Sequence, residues 1–159
     1  LLPALIAGVG LSNTQPGIGA RGDFVFGTPL ALRLMEWIWF PGVPVSDIHL
    51  HPVAVAAWGG LLATALNLLP IGQLDGGHIL YAFFSRWHRL LSRTFIFALV
   101  PLGLWARWPG WYFWAAILFF FVQRHPPIVD ENKLGPGRTT LGIAALVIFI
   151  LSFTAAPFS

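Results

Sequence analysis

Residues 67–78 (NLLPIGQLDGGH) carry the side chains best suited to chemistry in this chain. Asp75 lies between two strongly apolar segments, and a carboxylate at membrane depth is costly unless it is neutralised, paired or bound to a metal. No Lys or Arg occurs between Arg33 and Arg86, so the neighbouring sequence supplies no positively charged partner. We therefore predict that Asp75 binds a divalent cation.

The residues around Asp75 favour a hydrolytic site. Pro70 and Gly72 should break a helix, and irregular backbone within a membrane is tolerated only inside protein or beside a water-filled cavity. The glycines at 76 and 77 would let another chain approach the backbone closely. The Asn67 amide has a donor and an acceptor, so it could hold an extended substrate strand as an added β-strand is held.

The same residues also allow plainer interpretations. An Asp before Gly-Gly-His is an ordinary helix N-cap, so Asp75 could cap a helix whether or not it binds a metal. His78 lies on the same helical face as Asp75, where it could support a ligand, bind the metal or be an interfacial histidine. Asn67 could instead make a packing hydrogen bond between membrane helices.

The remaining histidines give weaker signals. His49 and His51 could form a metal-binding pair, because alternate residues of a strand face the same way, but a loop before Pro52 is the favoured interpretation. His125 precedes two prolines and has no evident chemical role. The chain has no Cys, so a metal here must take His, Asp or Glu.

Composition points to a lipid bilayer as the surrounding medium. Of 159 residues, 57% are hydrophobic and 9% are charged, whereas a soluble domain has about 25% charged residues. So much apolar surface could not be hidden from water in a domain of this size. The net charge of +3 comes from scattered basic residues, so nucleic-acid binding is not expected.

The apolar pattern predicts an all-α fold, a polytopic transmembrane helix bundle with interfacial helices. Helices are expected at residues 1–11, 29–40, 53–69, 78–85, 94–106, 109–123 and 140–156. The helix at 29–40 is amphipathic, with Arg33 and Glu36 among Leu and Trp, and is predicted to lie at the interface or against the bundle. The segments at 94–106 and 109–123 are short and could form a hairpin.

We expect residues 1–159 to form a single membrane-embedded domain. Within it, residues 12–52 hold loops and the interfacial helix, 53–85 the helices of the motif, and 94–156 the C-terminal membrane helices. Basic residues mark residues 86–93 and 124–138 as loops on one side of the membrane, which the positive-inside rule makes cytoplasmic. The protein is therefore predicted to be a multi-pass integral membrane protein.

The pattern N-x-x-P-x-x-x-L-D-G-G resembles the second signature of the site-2 protease family, which are intramembrane zinc metalloproteases. Most of the positions that resemble the family lie within residues 49–85. It implies that Asp75 is a Zn²⁺ ligand and that Asn67 and Pro70 lie beside the substrate. The other motif residues, which would support the site, are Leu74, Gly76, Gly77 and His78.

The family's first signature, H-E-x-x-H, is not found in this chain. In the family it provides two zinc-binding His and the general-base Glu, so the chain is expected to be the C-terminal part of a larger protease and inactive by itself. The resemblance also implies transmembrane protein substrates, such as anti-sigma factors trimmed by another protease, and a bacterial cytoplasmic membrane location. A regulatory membrane protein is a candidate partner.

Two other functions fit the same residues. In a non-catalytic membrane scaffold or pseudoprotease, Asp75 would only cap a helix. In one half of an ion-coupled transporter, the broken helix at 70–77 would bind an ion. A transporter should contain a second interrupted segment in inverted relation to the first, and the sequence shows none.

Overall fold

A computed structural model describes residues 1–15, 27–121 and 136–158 of the protein. Within these ranges the chain forms seven α-helices and one pair of short strands. The helices are α1 (Leu2–Gly10), α2 (Leu30–Trp39), α3 (Pro52–Asn67), α4 (Asp75–Phe84), α5 (His88–Ala106), α6 (Gly110–Phe121) and α7 (Pro136–Ser152). The strands are β1 (Asn13–Thr14) and β2 (Ile48–His49). The expected all-α fold class is confirmed.

The chain divides into two compact units. The first contains Leu1–Ala65 together with Ile150–Ser159, and the second contains Leu66–Phe149. Every residue of the motif at 67–78 lies in the second unit. The prediction of one membrane-embedded domain stays a prediction.

Close helix packing builds the core of the first unit. Gly8 of α1 lies against the backbone of Ala54 in α3, where a Cβ would collide. Small residues at such contacts let helices approach closely, which is how helices associate in lipid. The buried apolar residues of this core are Leu5, Val9, Ala31, Leu32, Ala54, Ala57, Trp58 and Leu61.

The strand pair was not expected from the sequence. β1 and β2 pair antiparallel, with Asn13 opposite His49 and Thr14 opposite Ile48. The two strands come from segments that the sequence analysis assigned to loops. Each strand is two residues long, too short to give a pattern of alternating polarity.

The last described residues return to the first unit and pack on α3. The indole N–H of Trp58 donates to the carbonyl oxygen of Gly27 at 2.7 Å, and the ring meets Phe158 edge to face at 5.2 Å between centroids. The Gly27 N–H donates in turn to the carbonyl oxygen of Pro157 at 2.8 Å. The last described residues therefore pack against Gly27 and Trp58, which lie about 100 or more positions earlier in the chain.

In the second unit α5 packs against α6. α5 ends at Ala106 because Arg107 adopts a left-handed conformation with φ of 52°, a common way to end a helix. Gly103 leaves room for Trp111 and Tyr112 of α6. The buried residues of α5 form one stripe at His88, Ser92, Ile96, Leu99 and Gly103.

Within the described ranges, α5 is the one helix whose length and apolar composition would let it cross a bilayer. It has 19 residues, about 28 Å at the usual helical rise. α3, residues Gly110–Phe120 and residues Gly137–Ser152 are apolar but shorter.

The prediction that residues 86–93 form a loop is wrong. α5 begins at His88, so Arg89 and Arg93 are helical and exposed. The basic residues suggested a loop, but long basic side chains can extend along the surface of a helix without ending it. Of the other predicted loop, 124–138, residues 124–135 lie outside the described residues, His125 among them; Arg138 belongs to α7.

Candidate metal site

The motif forms a break between α3 and α4. α3 ends at Asn67 and α4 begins at Asp75, so Pro70 and Gly72 lie in the break where the sequence placed them. Gly72 has a φ of 49°, in the left-handed region that favours glycine. The turn is closed by backbone N–H donors: Leu69 to Leu66 O (3.3 Å), Ile71 to Leu69 O (2.7 Å) and Leu74 to Ile71 O (3.1 Å).

The two glycines of the motif let α4 fold back against this turn. A Cβ at Gly76 would collide with the carbonyl group of Leu68, and a Cβ at Gly77 with the carbonyl oxygen of Gly72. Both glycines are buried. The close approach that they permit is made by the protein's own turn, so each position excludes any larger residue unless the backbone moves.

Asp75 is the first residue of α4, and its side chain is exposed. The N-cap residue is Leu74, with no side-chain capping hydrogen bond. Among the described residues, none forms a hydrogen bond or ion pair with the Asp75 carboxylate. The capping role considered for Asp75 is therefore not what the structure shows. A carboxylate in the first turn is favoured by the helix dipole and remains available to a ligand.

The other predicted site residues surround Asp75 in the same segment. Asn67 and His78 are exposed, and Pro70 and Leu74 are partly buried. The His78 N–H donates to the carbonyl oxygen of Leu74 at 3.1 Å, as the first hydrogen bond of α4. The structure thus keeps the motif in one connected turn and presents three of its polar side chains on the surface.

Two buried polar residues of α5 support this turn, and the sequence analysis did not identify either. The Gly72 N–H donates to Ser92 Oγ at 3.4 Å, and Ser92 Oγ lies 3.5 Å from His88 Nε2. The His88 ring meets the Tyr81 ring of α4 edge to face, with centroids 5.4 Å apart. The available signal was the spacing of His88 and Ser92, four residues apart on one helical face.

His49 and His51, the alternative metal-binding pair, have other positions and contacts in the structure. His51 Nδ1 accepts from the backbone N–H of Val53 at 3.2 Å, at the start of α3, and the His51 N–H donates to Ser12 Oγ at 2.9 Å. His49 is exposed in β2. These contacts give His51 a structural role, although His49 lies in a strand and not in the loop that was the favoured interpretation.

Glu36 of α2 is a second acidic side chain of interest. It is only 4% exposed, whereas Arg33 on the same helix is exposed. Its Oε2 has no hydrogen-bond partner within the part of the chain that is described. Burial raises the pKa of Glu36 from an ordinary 4.5 to about 7, although the charge of Arg33 lowers it. The amphipathic pattern predicted the helix but not the burial of Glu36.

Asp75 fits a zinc site as one ligand. Zinc accepts carboxylate oxygen, and catalytic zinc sites usually have three protein ligands. Across residues 1–15, 27–121 and 136–158, no group of three or more His, Asp or Glu side chains could hold a metal. The described chain therefore offers one ligand of such a set, on a turn closed by backbone hydrogen bonds.

The motif lies in a part of the chain that is similar to known proteins. The sequence profile of peptidase family M50 matches residues 34–105, which include the whole motif. The probable zinc metalloprotease EGY2 of the chloroplast of Arabidopsis thaliana is 32% identical over 117 residues, covering 72% of this chain and 21% of that protein. The corresponding protein of Oryza sativa subsp. japonica is 33% identical over 116 residues, with shares of 71% and 21%.

A bacterial protein is also similar. Stage IV sporulation protein FB of Bacillus subtilis is 32% identical, covering 56% of this chain and 38% of that protein. The chain spans about a fifth of the length of the plant relatives that it matches. No solved structure matches. The profile match and these relatives show that residues 34–105 of the chain are a segment of peptidase family M50, the site-2 protease family.

Proposed function

We propose that this chain supplies the Asp75 ligand of the zinc site in an intramembrane metalloprotease that hydrolyses a peptide bond of a transmembrane substrate. The observation that carries the proposal is the Asp75 carboxylate itself. It is exposed at the start of α4, makes no hydrogen bond or ion pair with any described residue, and lies in the family's motif.

The structure supports a ligand role because the backbone is held on both sides of Asp75. The turn before it is closed by backbone hydrogen bonds, and the glycines after it pack on that turn. A ligand held in this way loses little conformational freedom when it binds a metal. When bound, zinc would polarise water and the scissile carbonyl group. The two His and the general-base Glu of H-E-x-x-H would come from outside this chain.

Asn67 is proposed to hold the substrate. It is exposed at the last position of α3, where the helix has ended and its amide can donate and accept. A transmembrane helix must unwind before a protease can cut it, and an unwound strand needs partners for its backbone groups. Pro70, also in the break, has no N–H that would compete for the same acceptors.

A multi-pass location in the membrane is part of the proposal. α5 is long enough to cross, and the shorter apolar helices expose large side chains, including Phe120 of α6 at 73% and Leu141 of α7 at 72%. α2 exposes Trp37 at 72%, as expected at the membrane interface. Exposed apolar surfaces of this kind are suited to contact with lipid. The relatives come from chloroplasts and from a bacterium, so the proposal extends to an integral membrane and not to one organism's compartment.

Neither alternative function gains support. The scaffold hypothesis required Asp75 to cap α4, but the N-cap is Leu74 and no capping bond forms. The transporter hypothesis required a second broken helix. α5 contains Pro101 but runs through it without interruption.

The proposal is tested by Asp75→Asn in the full-length protein, purified in nanodiscs. We expect bound zinc, measured by elemental analysis, to fall at least tenfold and cleavage of a single-span substrate to stop. The matched control is Asp47→Asn, the same chemical change in the first unit, which should keep both. Unchanged zinc occupancy in Asp75→Asn would refute the assignment of Asp75 as a ligand.

A further inference from the structure

Ser92 is completely buried in α5, and its hydroxyl is used by the motif. Its exposure is 0%, and buried hydroxyl groups almost always have hydrogen-bond partners. Ser92 Oγ accepts from the N–H of Gly72, 20 residues earlier in the chain, at 3.4 Å. Gly72 lies three residues before Asp75, inside the helix break.

Gly72 depends on this contact. It is buried, and it lies between the end of α3 at Asn67 and the start of α4 at Asp75, so its N–H is outside both helical hydrogen-bond ladders. A buried N–H without a partner costs about 1–3 kcal/mol. Removal of the Ser92 hydroxyl would therefore favour a different conformation of the turn, and Asp75 would move with it.

His88 extends the same support to the other side of Asp75. The ring lies one helical turn before Ser92, with Nε2 at 3.5 Å from the hydroxyl, so Ser92 can donate to that nitrogen while it accepts from Gly72. His88 also meets the ring of Tyr81, which belongs to α4. α5 thus contacts the turn before Asp75 through Ser92 and the helix that follows Asp75 through His88.

We infer that Ser92, backed by His88, is a positioning residue that fixes the helix break at Gly72 and thereby the direction of the Asp75 carboxylate. The inference rests on the proposed function, since it concerns the geometry of the same ligand. Residues that orient a metal ligand through hydrogen bonds typically change metal affinity by about 10- to 100-fold when they are removed.

The test compares Ser92→Ala with Ser92→Thr in the full-length protein. Zn²⁺ affinity is measured by competition with a colorimetric chelator, and amide hydrogen exchange is measured on the peptide spanning residues 68–75. Ser92→Ala should weaken Zn²⁺ binding about tenfold and speed exchange at Gly72. Ser92→Thr keeps the hydroxyl, so it should restore most of the affinity and the slow exchange.

The matched control is Thr94→Ala on the same helix. The Thr94 hydroxyl donates to the carbonyl oxygen of Leu90 in its own helix at 3.0 Å, so its loss should leave both measurements unchanged. Equal weakening in Ser92→Ala and Ser92→Thr would show that packing, not the hydroxyl, matters, and would overturn the inference. Hydrogen exchange needs no bound metal, so it remains informative if a variant binds zinc poorly.

Asp75→Asn in the same assays separates the two proposals. If it leaves Zn²⁺ affinity unchanged, the proposed function fails. If it abolishes Zn²⁺ binding while Ser92→Ala keeps both wild-type affinity and wild-type exchange at Gly72, the proposed function stands and the positioning role of Ser92 is refuted.

Discussion

Gly76→Ala should damage the site more than its size suggests. A Cβ at this position would lie 2.5 Å from the carbonyl oxygen of Leu69 and would collide with that of Leu68. Ordinary contacts begin near 3.4 Å, so the backbone of the turn must move by at least about 0.9 Å, and by more at Leu68. Both obstacles are backbone atoms, which cannot rotate out of the way as a side chain can.

The expected magnitudes follow from that displacement. Overpacking costs about 2 kcal/mol, and replacing Gly by Ala within a helix returns about 1 kcal/mol, so the net loss of stability is roughly 1 kcal/mol. The effect on catalysis is larger, because a misplacement of about 1 Å can reduce the rate about 100-fold. Thermal unfolding and kcat/KM on a single-span substrate measure the two quantities in the full-length protein.

Gly59→Ala is the matched control. Gly59 lies in α3, and a Cβ there would have nothing within 4 Å. The same substitution should therefore raise stability by up to about 1 kcal/mol and leave kcat/KM unchanged. If Gly76→Ala behaves like Gly59→Ala in both assays, the argument that the turn is packed against α4 is refuted.

Two further predictions concern the first unit. Glu36 should make stability depend on pH: its folded pKa of about 7 lies above the ordinary 4.5, so its stabilising contribution is complete below pH 4.5 and is lost as pH rises through 7, a change on the order of 3 kcal/mol. Glu36→Gln should remove this fall in a pH series of thermal unfolding, and persistence of the fall would contradict the argument. Trp58→Phe deletes the donor to the Gly27 carbonyl oxygen and should cost about 1–2 kcal/mol, whereas an unchanged unfolding temperature would show that this bond adds nothing.

Local patterns were enough to predict the helices and the break that carries the motif. Apolar runs placed all seven helices, because each is apolar or amphipathic over most of its length. Pro70 and Gly72 placed the break, because both act on the backbone where they stand. The boundary at His88 was missed because Arg89 and Arg93 were read as loop residues. Asp75 itself was found from its charge in an apolar setting.

Contacts between distant residues were beyond the reach of the sequence. Ser92 bonds to Gly72 across 20 positions, and no local pattern distinguishes it from a serine that packs without a partner. The pairing of β1 with β2 is similarly distant. The sequence places Glu36 and Arg33 on one amphipathic helix but does not say which of them is buried. Only the packing of that helix decides this, and it buries Glu36.

The order in which the ribosome delivers the chain gives the C-terminal residues a further importance. Residues 1–65 emerge before residues 150–159, so the Gly27 N–H and the Trp58 ring lack their contacts with Pro157 and Phe158 until those two residues are made. The intervening segment takes roughly 10 s to synthesise at ordinary translation speeds. During that interval the early helices lack their final contacts, and a nascent chain that stops short of residue 157 would leave this unit open to quality-control proteases.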